Sequence, residues 1–326
     1  MRIGVVIPTK LREQLFTSED IERLDALGEV IWTDSPTHLT TAQAIALLQG
    51  CEVGVGSWST PSPNAELVAA CPDLRLWEHA AGTVKSMFGD HLKGRDLMIA
   101  SCKGAIADSV AEVVLGEIIL GLRRTYENGE ANRKGVVGKP HNLKTLAGST
   151  IGVIGASEVG KRVIRLLRHF PCRILLYDPF VSPEKASELG VILTSDLLEL
   201  CRVSDVVTLH TPDLPATYHI MSKEQFQAMK DDAVFINSSR GRCVDEKALI
   251  TELEKERIFA FLDVSDPEPT AIDSPLRLLP NVIYNSHIAG PPTVYIGKQA
   301  VDDVEAFVQG RAPSCVVQEE ELERIA

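Results

Sequence analysis

A glycine-rich turn between two apolar runs constrains this chain more than any other stretch. Thr150–Gly155 reads as a strand and Gly155-Ala156-Ser157-Glu158-Val159-Gly160 as the turn leaving it. Val159–Arg168 then reads as an amphipathic helix, and Arg173–Tyr177 as a second strand that ends at Asp178. In such a unit the first glycine permits the tight turn, and the last lets helix and strand approach closely. The unpaired N–H groups that open the helix offer a seat for a pyrophosphate. Asp178, at the end of the next strand, is placed to accept hydrogen bonds from a ribose diol and to repel a 2′-phosphate, which favours NAD over NADP. Ser157 stands where the pattern wants its second glycine, so its β-carbon either shifts the phosphate or its hydroxyl donates to it.

The rest of the chain extends this unit. At 326 residues it exceeds what one core usually organises, so two domains are expected. Further strands are predicted at Val191–Leu193, Val206–His210, Ala233–Asn237, Phe259–Val264 and Val282–Asn285, with helices at Asp196–Cys201, Lys223–Met229 and Glu246–Glu256. The alternation predicts a Rossmann-type doubly wound parallel sheet over residues 99–291. The first half gives strands at Ile3–Ile7, Val30–Trp32, Val53–Gly56 and Leu74–Trp77 and helices near Ser18–Leu27 and Thr41–Leu48. It predicts a smaller, flavodoxin-like α/β domain over residues 1–98. A last helix at about Val294–Gln309 returns to it, so residues 292–326 complete a discontinuous domain. A helix is expected from about Ala107 to Arg124, capped by Asp108 or Ser109, followed by an extended arm over Tyr126–Thr145. The acidic tail Glu319–Glu323 reads as a solvated end.

Composition excludes several classes. A net charge of −12 without clustered Lys and Arg argues against a nucleic-acid partner. No stretch approaches a membrane span, because Glu117 interrupts the apolar run Val113–Leu122. The seven cysteines form no C-x-x-C pair, so neither a metal site nor a disulfide framework is expected; buried thiols in a cytoplasmic protein are.

Three polar residues follow three of the predicted strands: Arg240, Glu268 and His287. Taken singly, each reads as a turn, capping or surface ion-pair residue. Ligands of an open α/β sheet bind beyond the carboxyl ends of its strands, so together the three form a constellation. Chemistry that builds negative charge on an oxygen calls for a fixed cation and a proton donor beside it; Arg240 and His287 suit those two parts, with Glu268 placed to hold the ring. His210, beside Thr211-Pro212, reads as structural or cofactor-lining.

These residues carry a family resemblance. The chain resembles the NAD-dependent D-2-hydroxyacid dehydrogenases through Ala80-Ala81-Gly82-Thr83-Val84, the run Ala107–Glu112, Leu146–Gly155, Tyr177-Asp178-Pro179, Leu209–Pro212, Asn237–Gly241, Leu262-Asp263-Val264, Pro267-Glu268-Pro269 and His287–Gly290. The resemblance implies a two-domain fold with the active site in the cleft between domains, and a homodimer built through the helix and arm at about 100–145. It implies NAD as cofactor, bound by Gly155, Ser157, Glu158, Val159, Gly160, Asp178, Pro179, Thr211, Pro212, Ser238, Asp263, His287 and Gly290. It implies Arg240, Glu268 and His287 as catalytic residues, and Gly82, Thr83 and Arg240 as the substrate cradle. Asp263 would order the active-site loop. Two features depart from the family: Ser157, and the lack of an aromatic residue near Gly135–Gly138. An NAD(H)-sensing binding protein of the same fold is the alternative; the intact trio favours the enzyme.

Overall fold

The computed structural model describes residues 1–136, 138, 142–290, 293–319 and 322. Parts of the expected arm (137 and 139–141) and of the acidic tail (320, 321 and 323) lie outside the described residues. Two compact units are present, one formed by Met1–Ser109 with Gly290–Ala326 and the other by Val110–Ala289.

The first unit runs β1 (Arg2–Val5), α1 (Thr9–Leu15), α2 (Ser18–Asp25), β2 (Glu29–Trp32), α3 (Thr41–Leu48), β3 (Val53–Gly56), α4 (Ala65–Ala70), β4 (Leu76–His79) and β5 (Met98–Ser101). Its five strands are all parallel, in the order β2-β1-β3-β4-β5, which is the flavodoxin-like order expected of the smaller domain. Polar side chains fix where its helices begin: Thr17 with Asp20 and Thr40 with Gln43 form reciprocal capping boxes, and Asn64 caps α4. One face of the sheet packs Ile3, Val5, Val53, Val55 and Leu76 against Ile296, Ala300, Val301 and Val304 of the C-terminal helix, Val294–Val308. The other face buries Val6, Leu48, Leu67, Trp77 and Ile99.

Helix α5 (Lys103–Leu122) and helix α6 (Thr125–Arg133) precede β6 (Thr150–Ile154), α7 (Glu158–Leu167), β7 (Arg173–Tyr177), α8 (Pro183–Leu189), β8 (Ile192–Leu193), α9 (Leu197–Val203), β9 (Val206–Leu209), α10 (Lys223–Ala228), β10 (Val234–Asn237), α11 (Glu246–Leu253), β11 (Phe259–Leu262) and β12 (Val282–Tyr284). The second unit's seven strands are parallel in the order β12-β11-β10-β9-β6-β7-β8. Successive strands step outward from β6 to β8, then restart at β9 on its other side, so the order reverses between β6 and β9. Helix α7 buries Gly160, Val163, Ile164 and Leu167, a stripe at helical spacing that lays it on the sheet. The core joins Ile154, Leu175, Val207, Leu209, Phe226, Phe235, Ala260 and Leu262.

Several sequence expectations shift. Helix α5 starts at Lys103, so Asp108 and Ser109 lie inside it; the Ala105 N–H instead donates to Gln299 Oε1 at 2.7 Å, a partner far off in sequence. The stretch read as an extended arm opens with helix α6. Its polar sequence is held by Arg124–Glu127 and Arg133–Glu130 pairs at 3.0 and 3.1 Å and by the Tyr126 ring against Phe261. Strand β5 and helices α1, α4 and α8 were not expected; each is short, and α1 buries Leu15 alone.

Candidate active site

The site begins where the strand order reverses. Gly155 leaves β6 with φ +92°, and a side chain there would sit 2.9 Å from the His210 carbonyl oxygen at the end of β9. A Cβ on Gly160 would lie 2.1 Å from the Gly155 carbonyl oxygen, so helix α7 and its strand touch backbone to backbone. Ser157 is the N-cap of α7: its hydroxyl accepts from the Gly160 N–H at 3.4 Å. The hydroxyl proton stays available to a ligand, as do the N–H groups of Glu158 and Val159, which have no intrahelical partner. Asp178 turns back on this loop, taking the Ala156 N–H on Oδ2 at 2.7 Å and the Phe180 N–H on Oδ1 at 2.8 Å. Pro179 is exposed beside it.

At the ends of β9 and β10, Thr211 Oγ1 and Ser238 Oγ are buried without a hydrogen-bond partner among the described residues. Orphaned hydroxyls at strand ends of a dinucleotide-type sheet fit a ligand that supplies the missing acceptors. Pro212 turns the chain there, its carbonyl accepting from Thr217 Oγ1 at 2.5 Å. His210 is a different case. Its Nε2 meets Thr208 Oγ1 at 2.9 Å and burial pushes its imidazole down to about 3, so it is a neutral packing group.

Two catalytic candidates are in direct contact: His287 Nδ1 lies 2.6 Å from Glu268 Oε1, both side chains partly exposed. The geometry behind that contact is built by Asp263, only 3% exposed at the end of β11. His287 has φ +55°, a conformation non-glycine residues adopt sparingly. It is held there because three successive N–H groups converge on Asp263. His287 N–H donates to its carbonyl oxygen at 2.8 Å, Ile288 N–H to Oδ1 at 2.7 Å, and Ala289 N–H to Oδ2 at 3.1 Å. On the other side, the Tyr284 hydroxyl lies 3.1 Å from Ser265 Oγ and takes the Thr270 N–H at 3.2 Å, bracketing the loop that carries Glu268. Arg277 lies over the Tyr284 ring and donates to the Thr270 carbonyl at 2.9 Å.

Arg240 follows β10 in a turn stapled by Asn237, whose amide donates to the Arg240 carbonyl at 3.1 Å and accepts from Ser239 N–H and Oγ at 3.0 and 2.9 Å. The Asp263 N–H donates to the Asn237 carbonyl, so the turns carrying Arg240 and Asp263 lie side by side. The Arg240 guanidinium donates to the Ser239 carbonyl at 2.7 Å and has no carboxylate partner among the described residues. In the first unit, the Gly82 and Thr83 N–H groups after β4 donate to nothing among the described residues. Gly290 is partly exposed three residues after His287.

Sequence reasoning gave no role to two supporting residues, Asn237 and Tyr284, which act through turn geometry that spacing alone does not reveal.

Residues 115–289 match a family described as D-isomer specific 2-hydroxyacid dehydrogenase, NAD binding domain. The chain is 32% identical over 274 residues to D-3-phosphoglycerate dehydrogenase of Methanocaldococcus jannaschii, covering 82% of this chain and 50% of that protein. It thus spans about half the length of that relative. It is 30% identical to glyoxylate reductase of Korarchaeum cryptofilum over 85% of each chain. The structure of D-lactate dehydrogenase with NAD+ from Lactobacillus jensenii shares the fold, with a TM-score of 0.80 at 23% identity, covering 98% of this chain and 100% of that one. No described helix is long and apolar enough to cross a membrane.

Proposed function

Because the chain belongs to the D-isomer-specific 2-hydroxyacid dehydrogenase family, we propose that it transfers a hydride between NAD(H) and a small 2-oxo acid or its D-2-hydroxy counterpart. The observation that carries the reading is the 2.6 Å contact of Glu268 with His287 Nδ1, which leaves Nε2 of a half-exposed ring without a partner among the described residues.

The residues divide the work as follows. His287 Nε2 gives a proton to the developing alkoxide in reduction and takes it back in oxidation. Glu268 holds the ring through Nδ1 and so aims Nε2. Arg240, with no carboxylate partner among the described residues, grips the substrate carboxylate and polarises the carbonyl. The N–H groups of Gly82 and Thr83, which donate to nothing among the described residues, would form a second carboxylate cradle. NAD(H), when bound, would supply the hydride donor or acceptor. The turn Gly155–Gly160, with Ser157, Glu158 and Val159, would hold its pyrophosphate, and Asp178 and Pro179 its ribose, with Thr211, Pro212, Ser238, Asp263 and Gly290 lining the remainder.

The unit Val110–Ala289 serves as the cofactor domain, and the unit Met1–Ser109 with Gly290–Ala326, whose sheet includes β5, as the substrate domain. The working form is a homodimer, and its seven unbridged cysteines suit the cytoplasm. The relatives' names span phosphoglycerate and glyoxylate chemistry, so the test is a panel. NADH oxidation is followed with 2-oxo acids of increasing size, alongside NADH affinity. In the His287→Ala variant kcat is expected to fall by roughly 10²–10⁴ with NADH affinity almost unchanged. Tight NADH binding with no turnover across the panel would sink the proposal.

A further inference from the structure

Two turns at the carboxyl ends of β3 and β4 stand side by side in the first unit. The backbone joins them: the Ala80 N–H donates to the Gly56 carbonyl at 2.7 Å, and the Ser57 hydroxyl donates to the Ala80 carbonyl at 2.7 Å. The second turn carries the Gly82 and Thr83 N–H groups, which donate to nothing among the described residues. The first is closed by Thr60, whose N–H donates to the Ser57 carbonyl at 3.2 Å and whose hydroxyl accepts from the Ser57 N–H at 2.8 Å. Ser59 takes φ +59° in this turn, which puts Trp58 at its tip. Trp58 is partly buried and packs, as does Ile106 of helix α5, against the core cluster that includes Val55, Ala80 and Cys102. Ile106 also closes on the cradle, since a Cβ on Gly82 would lie 3.2 Å from its Cδ1.

We propose that this site selects 2-oxo acids with an apolar side chain, and that Trp58 and Ile106 form the wall that holds it. The inference deepens the function proposed above and rests on it, because the side chain reaches that wall only when the substrate carboxylate sits on Gly82 and Thr83. Apolar surface laid against a ring and a branched chain is rewarded carbon by carbon. A phosphoryl group there would lose water and find no cation in either turn, since neither Ser57–Thr60 nor Ala80–Val84 contains Lys or Arg. His79, which ends β4, is no substitute: burial pushes its imidazole down to about 4 and leaves it neutral. Lys85, just past the second turn, is exposed to water, where an ion pair contributes little. Glyoxylate, with a hydrogen in place of the side chain, would draw nothing from the wall.

The test has a kinetic arm and a binding arm. In the first, reduction by NADH is measured with glyoxylate, phenylpyruvate and 3-phosphohydroxypyruvate, the last being the acid that Lys85 and Lys103 would favour. Phenylpyruvate is expected to exceed both others in kcat/KM by roughly tenfold or more. In Trp58→Ala the ratio of kcat/KM for phenylpyruvate over glyoxylate should fall by roughly tenfold or more, and in Trp58→Phe most of it should be kept. Should Trp58→Ala not fold, Ile106→Ala is read in the same way. Preference for glyoxylate or for the phosphorylated acid, or a ratio unchanged in the alanine variant, overturns the proposal. In the second arm, calorimetry follows D-phenyllactate binding to the protein with NADH, which needs no turnover. Binding that weakens by roughly tenfold or more in Trp58→Ala, with no acid turned over, supports the wall and counts against hydride transfer alone. Absence of both binding and turnover overturns the wall as well.

Discussion

At the scale of single residues, the contact between His287 and Glu268 decides how the ring is held. Replacing Glu268 by Gln removes the carboxylate opposite Nδ1, and kcat is expected to fall by roughly tenfold or more with NADH affinity almost unchanged. A Glu268→Gln variant that keeps the parent's kcat would break the assigned pair. Asp178 invites a second substitution. Its carboxylate faces the turn through the Ala156 and Phe180 N–H groups, where a 2′-phosphate would bring a second negative charge. Asp178→Ala should weaken NADH binding by about 1.5–3 kcal/mol and narrow the preference against NADPH. Comparing NADH and NADPH affinities in both proteins checks it, and a parent that already prefers NADPH contradicts the reading.

At the scale of elements, the turn from β6 into α7 depends on an approach too close for any side chain. Gly160→Ala would force a methyl group into the Gly155 carbonyl oxygen, so a loss of roughly 1–3 kcal/mol of stability and a marked loss of NADH affinity are expected. Denaturant unfolding with an NADH titration measures both. This turn was legible in the sequence because its requirements are local: a positive φ at Gly155, a close contact at Gly160, a carboxylate at the next strand's end. The same holds for the capped helices and the apolar strands. Helix α6 was not legible, because its residues have no apolar stripe and its anchor is a ring contact with Phe261, more than a hundred residues away. Helix α5 began early for a similar reason, since Gln299 caps it from the far end of the chain. In the site, Arg240, Glu268 and His287 stood out as polar residues at strand ends. The scaffold that aims them did not, since Asn237 and Tyr284 matter only once strands lie side by side.

At the scale of the whole molecule, buried acids tie stability to pH. Glu78, fully buried in the first unit, has its carboxyl held well above the usual range, by burial first and then by the nearby Asp303. The folded state keeps a proton that the unfolded chain releases above about 4.5. The contribution of Glu78 to stability is therefore fully present below that value and is lost as pH rises towards the folded value. Glu78→Gln should flatten this slope between pH 5 and 8, read from denaturation midpoints across the range; an unchanged slope would assign the dependence to the net charge of −12 instead. The routing of the chain carries a separate consequence. The second unit is one unbroken stretch, whereas the first closes its core only with Ile296, Ala300, Val301 and Val304. During synthesis on the ribosome the middle of the chain can therefore fold while the amino-terminal strands still wait for their last partner. That interval, with Ile3, Val5 and Val55 uncovered, is when a nascent chain would most need a chaperone.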